Sequence, residues 1–315
     1  MTEILPFSAA AIRQASSLVR AGQPVAIPTE TVYGLAGRAD RGEAVAAIYA
    51  AKGRPSFNPL IVHIENLEDA EKLALFDSIS QKLARRFWPG PLTLVLPLRT
   101  DSGIASLATA GLDTIALRVP AHRAMRALLE ATGLPLAAPS ANASGSISAT
   151  RAEHVMRSLG GRIPLIVDDG PTSLGLESSI VGIFGDEIRL LRPGPISVEQ
   201  LNEIAGPVEL ARSGNRINAP GQLLSHYAPS KPLRLEAETG ESDEWLIGFG
   251  AVAGDANLSP TGDLAQAAAR LFDLLHQADT QPLPKIAIAR IPEQGLGIAI
   301  NDRLRRAAAP RETAP

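Results

Sequence analysis

The residues best suited to chemistry in this 315-residue chain sit in short loops between apolar runs. Lys52-Gly53-Arg54-Pro55-Ser56-Phe57-Asn58-Pro59 sets two cations two positions apart beside glycine and proline. A rigid loop of that kind can hold a polyphosphate through fixed charge and directed N–H donors, and it can equally be a solvated charged turn. In Thr114-Ile115-Ala116-Leu117-Arg118-Val119, alternation puts Ile115, Leu117 and Val119 on one face and Thr114, Ala116 and Arg118 on the other. An arginine within a central strand is costly unless it faces a wet cavity or an anion. His63 points opposite Leu60, Val62 and Ile64, either as a ligand group or as a core histidine bonded to backbone. Pro139-Ser140-Ala141-Asn142 follows a strand of small residues, where loops often meet ligand. Ser140 and Asn142 offer uncharged donors for phosphate oxygens, though the same residues also favour plain turns. Glu177-Ser178-Ser179 leads into a strand, and Arg192-Pro193-Gly194 closes one.

Other chemistries lack their residues. There is no G-x-x-x-x-G-K-[ST] loop, no H-E-x-x-H and no G-x-S-x-G elbow. Gly248-Phe249-Gly250 follows a strand, but residues 251–260 do not open a helix, so it reads as a strand-ending turn. With no cysteine there is no disulfide scaffold, thiolate zinc site or cysteine nucleophile. Five scattered histidines do not suggest a dedicated metal site, so any metal is expected as magnesium carried in with a nucleotide.

Strand-like and helix-like segments alternate through the first two hundred residues, which predicts an α/β or α+β domain. Ser8 is positioned to cap a helix ending at Gly22. Strands are expected at Pro24–Ile27, Leu60–Ile64, Leu92–Leu98, Thr114–Val119 and Pro135–Ala138, with helices around 67–75, 78–87 and 121–132. Thr150 and Glu153 have capping-box spacing, and Ser197 can cap a later helix. Further strands are expected at Ile163–Val167, Ser178–Ile183 and Ile188–Arg192. Residues 208–230, rich in Gly, Asn, Ser and Pro, have the composition of a linker. Beyond them, strands at Trp245–Phe249 and Ile286–Ala289 and helices around Leu264–Leu275 and 296–308 predict a small second domain over 231–315.

Hydrophobic residues make up 45% and charged residues 20%, a globular composition. The net charge is −3, with 19 basic against 21 acidic residues up to position 210 and 11 against 12 after it. Neither part is a basic arm, so extensive nucleic-acid binding is not expected. No apolar run approaches the ~18 residues of a membrane span. The N-terminus MTEILPFSAA lacks signal-peptide character, and a cytoplasmic protein is expected.

Taken together, the motifs resemble the YrdC family in its two-domain form. The matching strings are PTETVYGL at 28–35, KGRPSFNPLIVHI at 52–64, WPGPLTLVL at 88–96 and AGLDTIALRVPAH at 110–122. APSANASG at 138–145, LESSIV at 176–181 and LLRPG at 190–194 continue in order, so 10–205 is almost fully covered. HYAP at 226–229 and GLGIAINDRLRRAA at 295–308 resemble the longer form. The resemblance implies a mixed α/β sheet around a cavity as residues 1–207, a linker at 208–230 over the cavity mouth, and a smaller Rossmann-like α/β domain.

It also implies synthesis of L-threonylcarbamoyladenylate from ATP, L-threonine and bicarbonate, with magnesium accompanying ATP. The product would serve tRNA modification next to the anticodon, through downstream tRNA threonylcarbamoyl transferase proteins and with at most weak tRNA contact. By position, Lys52, Arg54, Ser140 and Asn142 match the set around the phosphates. Asn58, Thr114, Ser148, Arg192 and Tyr227 match nucleotide contacts, while Thr31, His63, Arg118, Ser179 and the Ala138 backbone match the threonine site. The loop at 140–150 departs from the family's proline-containing pattern, and Ser179 replaces a common threonine. Two other readings stay open. One is an RNA-binding module using the same cavity. The other is carbamoyl transfer, for which the zinc-finger-like and acylphosphatase segments of such proteins have no counterpart here.

Overall fold

In the computed structural model, residues 1–185, 187–211 and 226–310 are described, and two sheets organise them. The first region runs β1 (Glu3–Pro6), α1 (Ala9–Arg20), β2 (Val25–Pro28), β3 (Tyr33–Arg38), α2 (Gly42–Lys52), β4 (Ile61–His63), α3 (Leu67–Leu73), α4 (Ser78–Phe87), β5 (Leu92–Pro97) and β6 (Thr114–Arg118). It continues with α5 (Arg123–Thr132), β7 (Leu136–Ala137), α6 (Ala152–Leu159), β8 (Leu165–Asp168), β9 (Ser179–Phe184), β10 (Glu187–Arg192), α7 (Val198–Ala205) and β11 (Glu209–Leu210). The second comprises β12 (Leu233–Ala237), β13 (Glu244–Gly248), β14 (Ala256–Asn257), α8 (Leu264–Asp279), β15 (Lys285–Ala289) and α9 (Leu296–Ala308).

Local chemistry sets several boundaries. The Ser8 side chain accepts the Ala11 N–H and starts α1. Gly133, at φ 59°, ends α5 in the left-handed conformation that glycine adopts without penalty. Ser197 and Gln200 cap α7 reciprocally. The box expected at Thr150 and Glu153 does not form. Arg151 is the N-cap of α6, one residue later, and the Thr150 hydroxyl instead lies 3.3 Å from His154 Nδ1.

The large sheet is mixed, in the order β1-β8-β2-β3-β7-β4-β6-β5-β9-β10-β11. Parallel pairing of β4 with β6 places His63 beside Arg118 and Ile61 beside Ala116. On one side, α1 and α5 bury Val19, Leu128 and Leu129 against Val25, Ile27 and Val167. A second core joins Leu35, Ile48, Leu83, Leu94 and Leu117. Each fully buried aliphatic side chain of this kind contributes about 1.5–3 kcal/mol, which fixes the strands whose other faces carry polar groups.

The small sheet is all parallel, in the order β12-β15-β13-β14. Its core of Leu271, Phe272, Leu275, Ile288 and Ile300 also takes in Val32, Ile147 and Leu176 from the first region. Gly175 marks a close approach between the two: at φ 69°, any Cβ there would lie 2.5 Å from the Ala268 carbonyl oxygen of α8. The first sheet reaches Leu210, past the boundary expected at 207. Of the expected linker, residues 212–225 lie outside the described residues. The Ala228 N–H bonds the Gly145 carbonyl at 2.8 Å, which seats the following stretch against the first region. Among the described residues, no helix is long and apolar enough to cross a membrane.

Candidate active site

A narrow cavity of about 40 Å³ opens where β3, β4, β6, β9 and β10 converge with the chain at 226–227. Its cationic end begins with α2. Gly53 closes that helix at φ 60°, turning the chain so that Lys52 points inward, 2% exposed. The Lys52 ammonium donates to the carbonyls of Ser140 and Asn142, at 2.5 Å each, and so fastens the loop after β7. Arg54 braces its own loop by donating to the Asn58 carbonyl at 3.3 Å and the Pro59 carbonyl at 3.1 Å. At the end of β10, Arg192 donates to the Ser178 carbonyl and hydroxyl, each at 3.1 Å.

These cations are held under tension. Burial, then the neighbouring Arg54 charge, pushes Lys52 well below its ordinary pKa. Burial likewise lowers Arg54 to about 10 and depresses Arg192. Desolvated positive charge without an equal count of carboxylates is what a bound anion relieves.

The other end is built on the β4–β6 pair. Arg118 meets Glu30 at 2.6 Å and donates to the Thr31 hydroxyl at 2.9 Å and the Gly90 carbonyl at 3.1 Å. Thr29 and Thr31 share a hydroxyl contact of 2.7 Å. Beside them, burial and then the Arg118 charge bring His63 down to about 3, so its imidazole is neutral. Neither ring nitrogen of His63 meets hydrogen-bond geometry with any described residue.

That vacancy is shared. The buried polar atoms left without partners include Asn58 Nδ2 and Oδ1, Asn142 Oδ1, His226 Nδ1 and the Tyr227 hydroxyl, all in or next to this cavity. Folded chains satisfy nearly all such groups, so a cluster of exceptions marks where ligand atoms belong. No group of three or more His, Cys, Asp or Glu among the described residues is arranged to hold a metal ion.

Of the residues singled out in the sequence, Thr31, Arg54, His63, Arg118, Ala138, Ser140, Arg192 and Tyr227 line the cavity. Lys52, Asn58 and Asn142 stand directly behind that lining. Thr114 lies at the far end of β6 and Ser148 behind Glu177, whose carboxylate accepts the Ser148 hydroxyl. Ser179 turns away: its hydroxyl donates to the Ile196 carbonyl and accepts the Ile196 N–H, and Ser178 lines the cavity instead. Glu177 and Ser178, which the sequence marks only as the entry to a strand, line the cavity too; so does His226, and Glu30 stands behind the wall on Arg118, both without a role in the sequence motifs. Glu30 and His226 sit inside the quoted PTETVYGL and HYAP strings, but an acid or a histidine in a turn carries no period to mark it.

Comparison with known proteins bears on this cavity. The model of the Sua5, YciO and YrdC proteins, described as "Telomere recombination", matches residues 17–194. The model "Threonylcarbamoyl-AMP synthase, C-terminal domain" matches residues 196–309. The chain is 40% identical to the threonylcarbamoyl-AMP synthase of Bacillus subtilis (strain 168), over 95% of this chain and 93% of the relative. It is 38% identical to that of Pyrococcus abyssi (strain GE5 / Orsay), over 94% of each. The crystal structure of P. abyssi Sua5 complexed with L-threonine aligns with a TM-score of 0.90 and 36% identity, over 98% of each chain.

Proposed function

The chain belongs to the Sua5/YciO/YrdC family, and on that premise we propose that it makes L-threonylcarbamoyladenylate from ATP, L-threonine and bicarbonate, releasing pyrophosphate. One observation carries the reading: buried cations and orphaned polar atoms gather on one cavity, with a second, charge-balanced end 2.6 Å across its ion pair.

The chemistry needs no protein nucleophile. The threonine amine condenses with bicarbonate to a carbamate, losing water. A carbamate oxygen then bonds to the α-phosphorus while the bond to the pyrophosphate oxygen breaks in line. What such a displacement asks of a protein is alignment and neutralisation of charge that develops on oxygen. Lys52 and Arg54, with Ser140 and Asn142, are assigned to the phosphates; Arg192, Asn58, Ser148, Thr114 and Tyr227 to the rest of the nucleotide. Arg118, Thr31, His63, Ser179 and the Ala138 backbone are assigned to threonine, with the Ser178 hydroxyl supplying the wall that Ser179 does not. A neutral, unpartnered His63 suits a hydrogen bond to a polar substrate that arrives without net charge. Magnesium is placed on the ATP phosphates as part of that substrate, in keeping with its habit of binding through phosphates and few protein ligands.

The product is destined for tRNA modification, handed to downstream tRNA threonylcarbamoyl transferase proteins with at most weak contact to tRNA itself, in the cytoplasm where these reactants meet. The test is pyrophosphate release by the full chain with magnesium and ATP, adding threonine and bicarbonate singly and together. Release requiring both is expected. Release independent of threonine would overturn the assignment.

A further inference from the structure

The string that ends the chain's last helix has no part in the site so far. From α9, Arg303 crosses into the first region with a side chain that is 0% exposed. Its guanidinium donates through Nε to Glu177 Oε2 at 2.9 Å, and through Nη1 to the Pro193 carbonyl at 2.8 Å and Asp302 Oδ2 at 2.9 Å. Nη2 faces the Glu177 carbonyl at 3.5 Å. The guanidinium carbon also lies 5.4 Å from the centre of the Tyr227 ring, within cation–π range. One planar fork thus ties the entry to β9, the exit from β10 and the chain at 227, a span a lysine's single ammonium cannot match.

The partner is as telling as the reach. Glu177 is the one acidic side chain among the described residues lining the cavity, and it shares that wall with Arg54 and Arg192. Without Arg303, a buried carboxylate there would be balanced only by the site's own cations and would draw their charge away from a polyphosphate. With Arg303 across it, Glu177 is neutralised and its other oxygen is free to accept the Ser148 hydroxyl.

We propose that Arg303 is a positioning residue, supplied by the second domain, that cancels the Glu177 charge and holds Glu177 and Tyr227 in place for the nucleotide half of the cavity. This rests on the proposed ATP-dependent reaction. It gives the second domain a share in the site through a residue that touches no substrate.

The test uses the full chain carrying Arg303→Met, with pyrophosphate release measured against ATP and threonine separately. The ATP requirement is expected to rise about tenfold or more while the threonine requirement moves less than about threefold. Adding Glu177→Gln to Arg303→Met should return the ATP requirement to within about threefold of Glu177→Gln alone, because no acid is left to draw on the site's cations. A merely structural role would raise both requirements together, or leave the double variant as poor as Arg303→Met; either result overturns the proposal. Should Arg303→Met not fold, the neutral and polar Arg303→Gln gives the same reading, with the ATP requirement rising ahead of threonine if the proposal holds and equally if it does not. A native chain without threonine-dependent release would instead sink the underlying reaction, which keeps the two failures apart.

Discussion

Removing Arg118 should do two separable things. Its Nη2 lies 2.6 Å from Glu30 Oε1, with side chains 4% and 10% exposed. At that separation and an effective dielectric near 20, the attraction is about 6 kcal/mol. Much of it offsets desolvation, so truncating one partner of such a pair costs about 3–5 kcal/mol, chiefly by stranding the other charge. Arg118→Met should lose that much at pH 7, leaving a weakened fold out of a total of about 5–15 kcal/mol. Arg118→Met combined with Glu30→Gln should recover most of it. Burial pushes the Glu30 carboxyl up, but the Arg118 charge and hydrogen bond, together with backbone N–H groups, hold it below its ordinary 4.5. In the native chain this group therefore stabilises the fold above pH 4.5, and the contribution fades as pH falls through the lowered value. In Arg118→Met burial prevails, the sign reverses, and the variant should gain stability as pH drops from 7 toward 5. Urea unfolding midpoints across that range test the sign. Pyrophosphate release tests the function: the threonine requirement should rise by about tenfold or more, exceeding any change for ATP, and should stay high in the double variant. If the double variant recovers threonine use along with stability, Arg118 is only a brace. If ATP and threonine requirements rise alike, it belongs to the phosphates.

Lys52→Met removes the cation and unfastens the loop at Ser140 and Asn142, so pyrophosphate release should fall by about 100-fold or more; a fall under threefold would place the cation outside the reaction. Tyr227→Phe keeps the ring against Phe272 and should hold the unfolding free energy within about 0.5 kcal/mol, because the hydroxyl has no partner among the described residues. Tyr227→Ala should lose about 3 kcal/mol and raise the ATP requirement, and unchanged ATP affinity and turnover would remove Tyr227 from the nucleotide site. His154 and His276 stack at 3.8 Å between the two regions, and burial brings them to about 3 and about 4. Their folded values lie below 6.5, so stability is full above 6.5 and is lost as pH falls through the folded values. His276→Gln should flatten that fall in a pH series of unfolding midpoints, and an unaltered slope would assign the loss to other groups.

Strand alternation alone put Arg118 and His63 on polar faces, and the β4–β6 register sets them side by side. Caps are equally readable: Ser8 and Ser197 each satisfy a helix terminus through their own chemistry. Elements without a period escaped. GEAVAAIYAAK in α2 is apolar on most sides, and YGLAGR in β3 has glycines where alternation would show. The Thr150 box fails because spacing is blind to which residue is the last extended one before the helix, and that residue is Arg151, at φ −140° and ψ 157°. At the site, isolated charges were legible but pairings were not. Glu30 finds Arg118 across 88 positions and Glu177 finds Arg303 across 126, separations that only the completed fold brings to contact.

That last separation also orders events in time. A chain leaving the ribosome at about 5–20 residues per second would present Glu177 some 6–25 seconds before Arg303 emerges. During that interval the first sheet can form, yet its acid has only the site's own cations for balance. On the role proposed for Arg303, a chain stopped short of α9 would assemble most of the cavity walls while leaving Glu177 to compete for the cations assigned to the nucleotide.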